Sequence, residues 1–500
     1  MQAFDRALDD FTAALPIPRM THGCGDRLRP NVAVQNDKDL TALGRYLLAE
    51  GRYPLPQGER ACYATLIFLS RRTKQLTDRR NPGTREQEMQ NLQINPQRLW
   101  DTLMETAQIG ATAKGGICRL TVTDLDRQVR DWFKAQCEAL GCTVAVDEVG
   151  NMFARRPGKK ENLAPIAMGS HLDTQPTGGK FDGTLGVLGA LEAMRTLHET
   201  GYETNAPIEI VNWTNEEGSR FAPAMLASGV FAGVFTPDFA YARADRDGKT
   251  FGDELKRIGY QGKDRAGARK FAAMFELHIE QGPILEDEAR MIGVVQGVQG
   301  MRWYEVTVTG QAAHTGATPM RLRKNALLGA AHMIARIDAI AHEHAPDAVG
   351  AVGLIESRPN SRNVVPGEVF FTVDFRHPDD KVLDVMEGKF RAALPEILEP
   401  MKLAYKEARI WDSPAVKFAP ELIACVRAGA EKAGFKSRDM ISGAGHDAAY
   451  VARVAPTTMI FVPCVGGISH NEAESTSFDE CAAGAQVLLN AVLEFDRRLG

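Results

Sequence analysis

APIAMGSHLDTQPTGGKFDGTLGVLGALEAMRTLHETG, residues 164–201, decides the fold. An apolar run predicts a buried strand, a glycine-rich loop follows, and an apolar helix runs on to a stop at Gly201. The strand PIEIVNWTNEE (207–217) comes next. Strands alternating with helices in this way describe an α/β domain with a mostly parallel sheet.

Outward from this unit the pattern continues. Upstream, LDRQVRDWFKAQCEALG (125–141) reads as an amphipathic helix and CTVAVDEVGNMFARR (142–156) as a pair of short strands. Downstream, from about Met301 to Trp411, the order is strand, helix, strand, strand, helix, strand. The pieces are RWYEVTVTG, NALLGAAHMIARIDAIAHEH, AVGLIES, EVFFTVDFR, DDKVLDVMEGKFRAAL and MKLAYKEARIW. That is the split βαβ order of a ferredoxin-like α+β sandwich. Helix ELIACVRAGAEKAG and strand TTMIFVPC then resume the first pattern. The simplest division is a small domain, 301–412, inserted into a catalytic domain made of 92–300 and 413–500. Residues 1–91 read as a helical extension that carries no recognisable chemistry, with the polar stretch TDRRNPGTREQEMQN (77–91) as its linker.

Bulk properties set outer limits. At 500 residues the chain exceeds what one core usually organises. Lys and Arg number 59 against 64 Asp and Glu, a net charge of −5, so nothing points to a nucleic acid or an anionic membrane as partner. The eight cysteines form no CxxC pair, which argues against a disulfide framework or a zinc knuckle. The first residues lack a basic region leading into an apolar one, and no apolar run is long enough to span a bilayer. A cytoplasmic enzyme is the expectation.

Five fragments carry metal-competent side chains. GSHLDT (169–174) places His171 and Asp173 on one side of a strand end. GGKFDGTLG (178–186) sets Asp182 among glycines before a helix, where it could equally cap that helix. NWTNEEG (212–218) ends a strand in Glu216 and Glu217, which repel unless a cation or a shared proton separates them. FELHIEQG (275–282) offers His278, Glu280 and Gln281, and GGISHNEAE (466–474) presents His470 from a glycine loop. Each fragment alone is ambiguous; an isolated H-x-D is as often a satisfied surface histidine. Five of them at strand ends and glycine turns are less so, because α/β folds build sites at the carboxyl ends of strands. Histidine and carboxylate donors without cysteine suit zinc or another divalent first-row metal.

From about residue 94 to 500 the chain resembles the amidase/hydantoinase-carbamoylase family. The motifs that carry the resemblance are MGSHLDTQPTGGKFDG, NWTNEEGSRF, LHIEQGPILE, HTGATPM, RPNSRNVVPG, DFRHPD and SGAGHDA, in family order. The resemblance implies a metallopeptidase-like catalytic domain with an inserted dimerisation (lid) domain. It also implies two divalent ions per subunit, zinc first, with manganese, cobalt or nickel as alternatives. His171, Asp182 and His278 would hold one ion and Asp182, Glu217 and His470 the other, with Asp182 bridging. Glu216 would be the general base and Asp173 would orient its neighbours. His314, reaching in from the second copy of a homodimer, would stabilise the oxyanion. Gln281, Asn363, Arg376 and His446 would contact a small anionic ureido substrate, Arg376 through its carboxylate. His278 separates this branch from related aminoacylases and peptidases, which place an acid there.

The expected reaction is therefore hydrolysis of an N-carbamoyl amino acid, β-ureidopropionate-like substrates included, to amino acid, carbon dioxide and ammonia. Allantoate hydrolysis is the near alternative and an aminoacylase or peptidase a more distant one. A catalytically dead binding homologue is the alternative from another class, and it would require loss of a ligand or of the base.

Overall fold

In the computed structural model residues 91–500 are described; the expected helical extension and its linker precede them. Helix α1 (Pro96–Thr106), not expected from sequence, starts where Asn95 accepts a hydrogen bond from the Arg98 backbone and Pro96 takes the first helical position. The amphipathic helix α2 (Asp124–Ala139) is capped by Thr123, and the hairpin β1 (Thr143–Val146) and β2 (Met152–Arg156) follows as expected. The deciding unit is β3 (Ile166–His171), α3 (Thr184–Thr200) and β4 (Ile208–Trp213), with Gly201 in the left-handed conformation that closes α3.

Next come β5 (Ala273–Ile279), β6 (Ile292–Val298), β7 (Gly300–Thr309), the two-residue β8 (Ala313–His314), α4 (Ala326–His342), β9 (Val349–Ala351) and β10 (Ile355–Arg358). They are followed by β11 (Val364–Val365), β12 (Glu368–His377), α5 (Asp380–Leu398), β13 (Ala404–Ser413) and β14 (Val416–Lys417). The chain ends with α6 (Pro420–Ala433), β15 (Ser437–Ser442), β16 (Thr457–Val462) and α7 (Phe478–Leu499), whose start is fixed by a capping box of Ser477 and Glu480.

The larger sheet runs β1-β2-β4-β3-β5-β16-β6-β14, with β15 also paired to β6. Its centre, β4-β3-β5-β16, is parallel and buried along every residue, which is why those strands read as unbroken apolar runs. Helix α3 is buried from Thr184 to Leu197. The α/β class with a mostly parallel sheet is thus borne out.

The second sheet, β10-β12-β7-β13, is antiparallel, with β9 also on β12. Its strand order is the one a ferredoxin-like sandwich requires. β7 and β12 alternate buried and more open positions, so Tyr304, Val306, Phe371 and Phe375 meet Met333 and Ile337 of α4 and Met386 and Phe390 of α5 in a separate core. One expectation is corrected. AVGLIES is not a single strand: Ala351 closes β9 and Ile355 opens β10, and Gly353, with no side chain to pack, lies in the break.

The parallel strands share a direction, so their carboxyl ends gather on one edge of the sheet, and Arg119 braces that edge. Its buried guanidinium donates to the carbonyls of Leu172 (2.8 Å), Thr106 (3.1 Å) and Ile109 (3.1 Å), tying the end of β3 to the end of α1. Arg119→Met keeps the bulk and strands three acceptors, each worth about 1–3 kcal/mol. The apparent Tm is expected to fall by about 5 °C or more; calorimetry showing an unchanged Tm would contradict this bracing role.

Candidate functional site

Four side chains reach the edge from three neighbouring strands. His171 is the last residue of β3, Glu216 and Glu217 follow β4, and His278 is the penultimate residue of β5. Asp182 enters from the loop before α3. It does not cap that helix: Gly183 is the cap residue and no side chain caps it. His470 comes from a loop eight residues ahead of α7, in a left-handed conformation at φ 55°.

These groups converge on Asp182. Its Oδ1 lies 3.1 Å from His278 Nε2 and 3.4 Å from His171 Nε2. Its Oδ2 lies 3.7 Å from His470 Nε2, which is also 3.5 Å from Glu217 Oε2. The carboxylate therefore turns one oxygen to each of two ligand sets, His171–Asp182–His278 and Asp182–Glu217–His470.

The tautomers suit metal binding. His171 Nδ1 is 2.9 Å from the Asp173 carbonyl and His278 Nδ1 is 2.9 Å from the Ile279 carbonyl. A carbonyl only accepts, so both Nδ1 atoms carry hydrogen and both Nε2 atoms face the cluster. His171 Nε2 is buried without a hydrogen-bond partner, between Asp182 and Glu216 at 3.4 and 3.6 Å. An orphaned imidazole nitrogen among carboxylates is satisfied by a proton or by a cation, so the pocket suits a metal ion. The donor set of nitrogen and oxygen atoms fits a divalent first-row ion.

The electrostatics agree. Burial drives Glu216 well above the usual carboxylate range, with Asp447 and Glu217 adding to the push and His171 opposing it. Burial and the neighbouring Asp182 do the same to Glu217. Burial would raise Asp182 too, but His278 and His171 outweigh it and hold that carboxyl well below the range. Among the described residues the Glu216 side chain, 3.6 Å from His171 Nε2, accepts no hydrogen bond, which leaves its lone pairs available to a proton.

Other expected residues take less direct positions. Asp173 accepts from the Glu216 and Glu217 backbone N–H groups, both at 3.3 Å, so it holds the β4 turn as well as the His171 ring. Gln281 donates to Asp182 Oδ2 at 2.7 Å. His446 is buried behind His278, with ring centroids 4.5 Å apart, rather than lining an open pocket. Glu280 turns away and accepts from the Ile284 and Leu285 backbones. His314 and Asn363 sit together on the exposed β8–β11 ribbon, where Thr315 donates to the Asn363 carbonyl, and neither is bonded to the Asp182 cluster. Arg376 lies on β12, ion-paired with Asp374 and donating to the Gly443 carbonyl at 2.9 Å.

Three contributors escape the sequence reading. Gln175 donates to Glu217 from its backbone (3.1 Å) and its amide (2.6 Å). Ser469 donates to Asp182 Oδ2 at 2.9 Å, and Glu474 accepts from the Phe181 and Asp182 backbones. All three lie inside or beside quoted motifs. What conceals them is that the residue each one bonds lies far off in sequence, 42 positions for Gln175, 287 for Ser469 and 292 for Glu474.

Comparison with known proteins places this arrangement. Residues 167–494 match peptidase family M20/M25/M40. An N-carbamoyl-L-amino-acid amidohydrolase of Rhizobium meliloti is 54% identical over 405 residues, covering 81% of this chain and 97% of the relative. The chain belongs to family M20/M25/M40. Similar solved structures include hydantoinase/carbamoylase amidases; one from Burkholderia multivorans is 55% identical, with TM-score 0.80, over 81% of this chain and 98% of that one. An allantoate amidohydrolase of Escherichia coli strain K12 is 34% identical over 78% of this chain and 96% of its own length. The protein is a hydrolase of C–N bonds, as this M20 membership and its amidohydrolase relatives establish.

Gly183 offers a test of the geometry. Its φ is 62°, its N–H donates to His278 Nε2 at 3.1 Å, and a Cβ there would fall on the His171 ring. Gly183→Ala is expected to lower bound divalent metal by about tenfold or more in affinity, with the circular dichroism spectrum unchanged. Wild-type metal content by elemental analysis under a competing chelator would contradict the placement of His171.

Proposed function

We propose that this amidohydrolase cleaves the ureido C–N bond of N-carbamoyl-L-amino acids, β-ureidopropionate-like acids included, to give the amino acid, carbon dioxide and ammonia. The observation that carries the reading is Asp182, shared between two candidate ligand sets, with the Glu216 carboxylate beside them facing His171. The similarity to N-carbamoyl-L-amino-acid amidohydrolases, 54% and 37% identical, supports the substrate class over allantoate, whose E. coli hydrolase is 34% identical.

In this reading His171, Asp182 and His278 hold one divalent ion and Asp182, Glu217 and His470 the second, zinc before manganese, cobalt or nickel. When bound, such ions supply Lewis acidity for the ureido carbonyl and acidify the attacking water. Glu216 takes that water's proton as its oxygen adds to the ureido carbon. It then returns the proton to the amino-acid nitrogen as the C–N bond breaks, and the released carbamic acid decomposes to carbon dioxide and ammonia. Asp173 holds the Glu216 and Glu217 backbones in place for this.

Substrate contacts come from both sheets. Arg376 grips the substrate carboxylate, Gln281 and Asn363 contact its polar groups, and His446 backs His278. His314 supplies the oxyanion donor from the second copy of a homodimer formed through the inserted domain, residues 301–412, which caps the catalytic domain of 92–300 and 413–500. Its Nδ1 accepts from the Gly316 and Ala317 backbones, both at 3.0 Å, so a neutral ring carries its proton on Nε2, free to donate outward. No helix among the described residues is long and apolar enough to cross a membrane; the cytoplasm is the proposed location.

Two experiments test this. Metal-loaded enzyme offered N-carbamoyl-β-alanine, N-carbamoyl-L- and D-amino acids, allantoate and N-acetyl amino acids is expected to turn over the carbamoyl L-acids fastest. Glu216→Gln is expected to lower that kcat about 100-fold or more with both metals retained. Preference for allantoate, or wild-type turnover by Glu216→Gln, would refute the assignment. In the second, inactive Glu216→Gln and His314→Ala subunits are mixed under exchange. Activity is expected to return to about a quarter of wild type, since half the dimers are hybrids with one complete site. No recovery after exchange, verified by mass spectrometry, would place His314 in its own subunit's site or the dimer elsewhere.

A further inference from the structure

The loops that bring Asp182 and His470 together have no sheet contact between them, yet the two ligand sets require a fixed spacing. Glu474 bridges the gap. Its side chain is buried, and one oxygen, Oε1, accepts from the backbone N–H of Phe181 at 3.1 Å and of Asp182 at 3.0 Å. Its other oxygen lies 3.2 Å from Ser469 Oγ, whose hydroxyl reaches Asp182 Oδ2 at 2.9 Å. Gly179 is bare at this point because a Cβ there would occupy the space of the Glu474 carboxylate. The loop end of Glu474 is itself pinned, its N–H donating to the Asn471 carbonyl at 3.0 Å. One side chain thus links Ser469, the residue beside His470, to the main chain of Asp182, which lies 292 positions from Glu474.

We propose that Glu474 is a positioning residue: through the Asp182 amide and Ser469 it sets where the shared carboxylate stands between His171–His278 and His470–Glu217. The inference rests on the two-metal reading above. It concerns reach and not charge. The length of the side chain lets Oε1 span two successive N–H groups, and a glutamine has the same length. Its amide oxygen would keep both bonds and its NH2 would donate to Ser469, whose own proton still goes to Asp182. An aspartate keeps the charge and falls short by one methylene.

The test is cobalt binding to the full chain after chelator depletion, for wild type, Glu474→Asp and Glu474→Gln. Affinity is read by competition, coordination geometry by the visible absorption bands, and folding by melting of the metal-free proteins. Glu474→Asp is expected to bind cobalt about 10- to 100-fold more weakly with altered bands, the range seen when a group supporting a metal ligand is lost. Glu474→Gln is expected to stay within about threefold of wild type with its bands unchanged. Wild-type binding by Glu474→Asp, or weaker binding by Glu474→Gln than by Glu474→Asp, would overturn the positioning role while leaving the two-metal reading intact. Failure of wild type to bind two ions would instead sink that reading, and the inference with it.

Discussion

The site depends on one buried carboxylate that faces opposite ways. Asp182 turns Oδ1 to the imidazoles of His171 and His278 and Oδ2 to His470, Gln281 and Ser469. A carboxylate out of water is costly unless positive charge or donors surround it, and this one has both. The same burial raises Glu216 and Glu217, whose neighbours are mostly acids. The acids outnumber what the imidazoles can balance, a setting that suits divalent cations.

The fold exists around that arrangement in a specific sense. Parallel β3, β4 and β5 end side by side, so ligands distant in sequence meet without long excursions. Arg119 and Asp173 then fix the strand ends by bonding to backbone: Arg119 to the Leu172 carbonyl, Asp173 to the Glu216 and Glu217 amides. The candidate loop ligands Asp182 and His470 lack a strand to hold them, and Gln281, Ser469 and Glu474 bond to Asp182 instead. The second sheet, with its own core, carries Arg376, and the separate β8–β11 ribbon carries His314 with Asn363 beside it, a placement suited to contacts that form with substrate or a second copy.

Much of this was legible in the sequence for a physical reason. Parallel strands buried on both faces read as continuous apolar runs, and the polar residues that end them stand out. His171, Glu216, Glu217 and His278 are visible on that ground. β6 (IGVVQGV) is not, because its glycines and glutamine break the apolar run, nor is the break in AVGLIES, which depends on pairing with β12. Glu474 sits inside a quoted motif, but its partners are backbone amides of Phe181 and Asp182, and no local pattern encodes a bond across that separation. His446 shows the converse. The family resemblance makes it a substrate contact, and packing against His278 and Phe461 buries it.

The central claim is that Asp182 is shared by two metal ions, and anomalous diffraction from crystals grown with zinc tests it most directly. Data collected on either side of the zinc absorption edge are expected to show two peaks per subunit. One should lie among His171, Asp182 and His278 and the other among Asp182, Glu217 and His470. A single peak, or a second peak with no Asp182 oxygen in its coordination, would contradict the account.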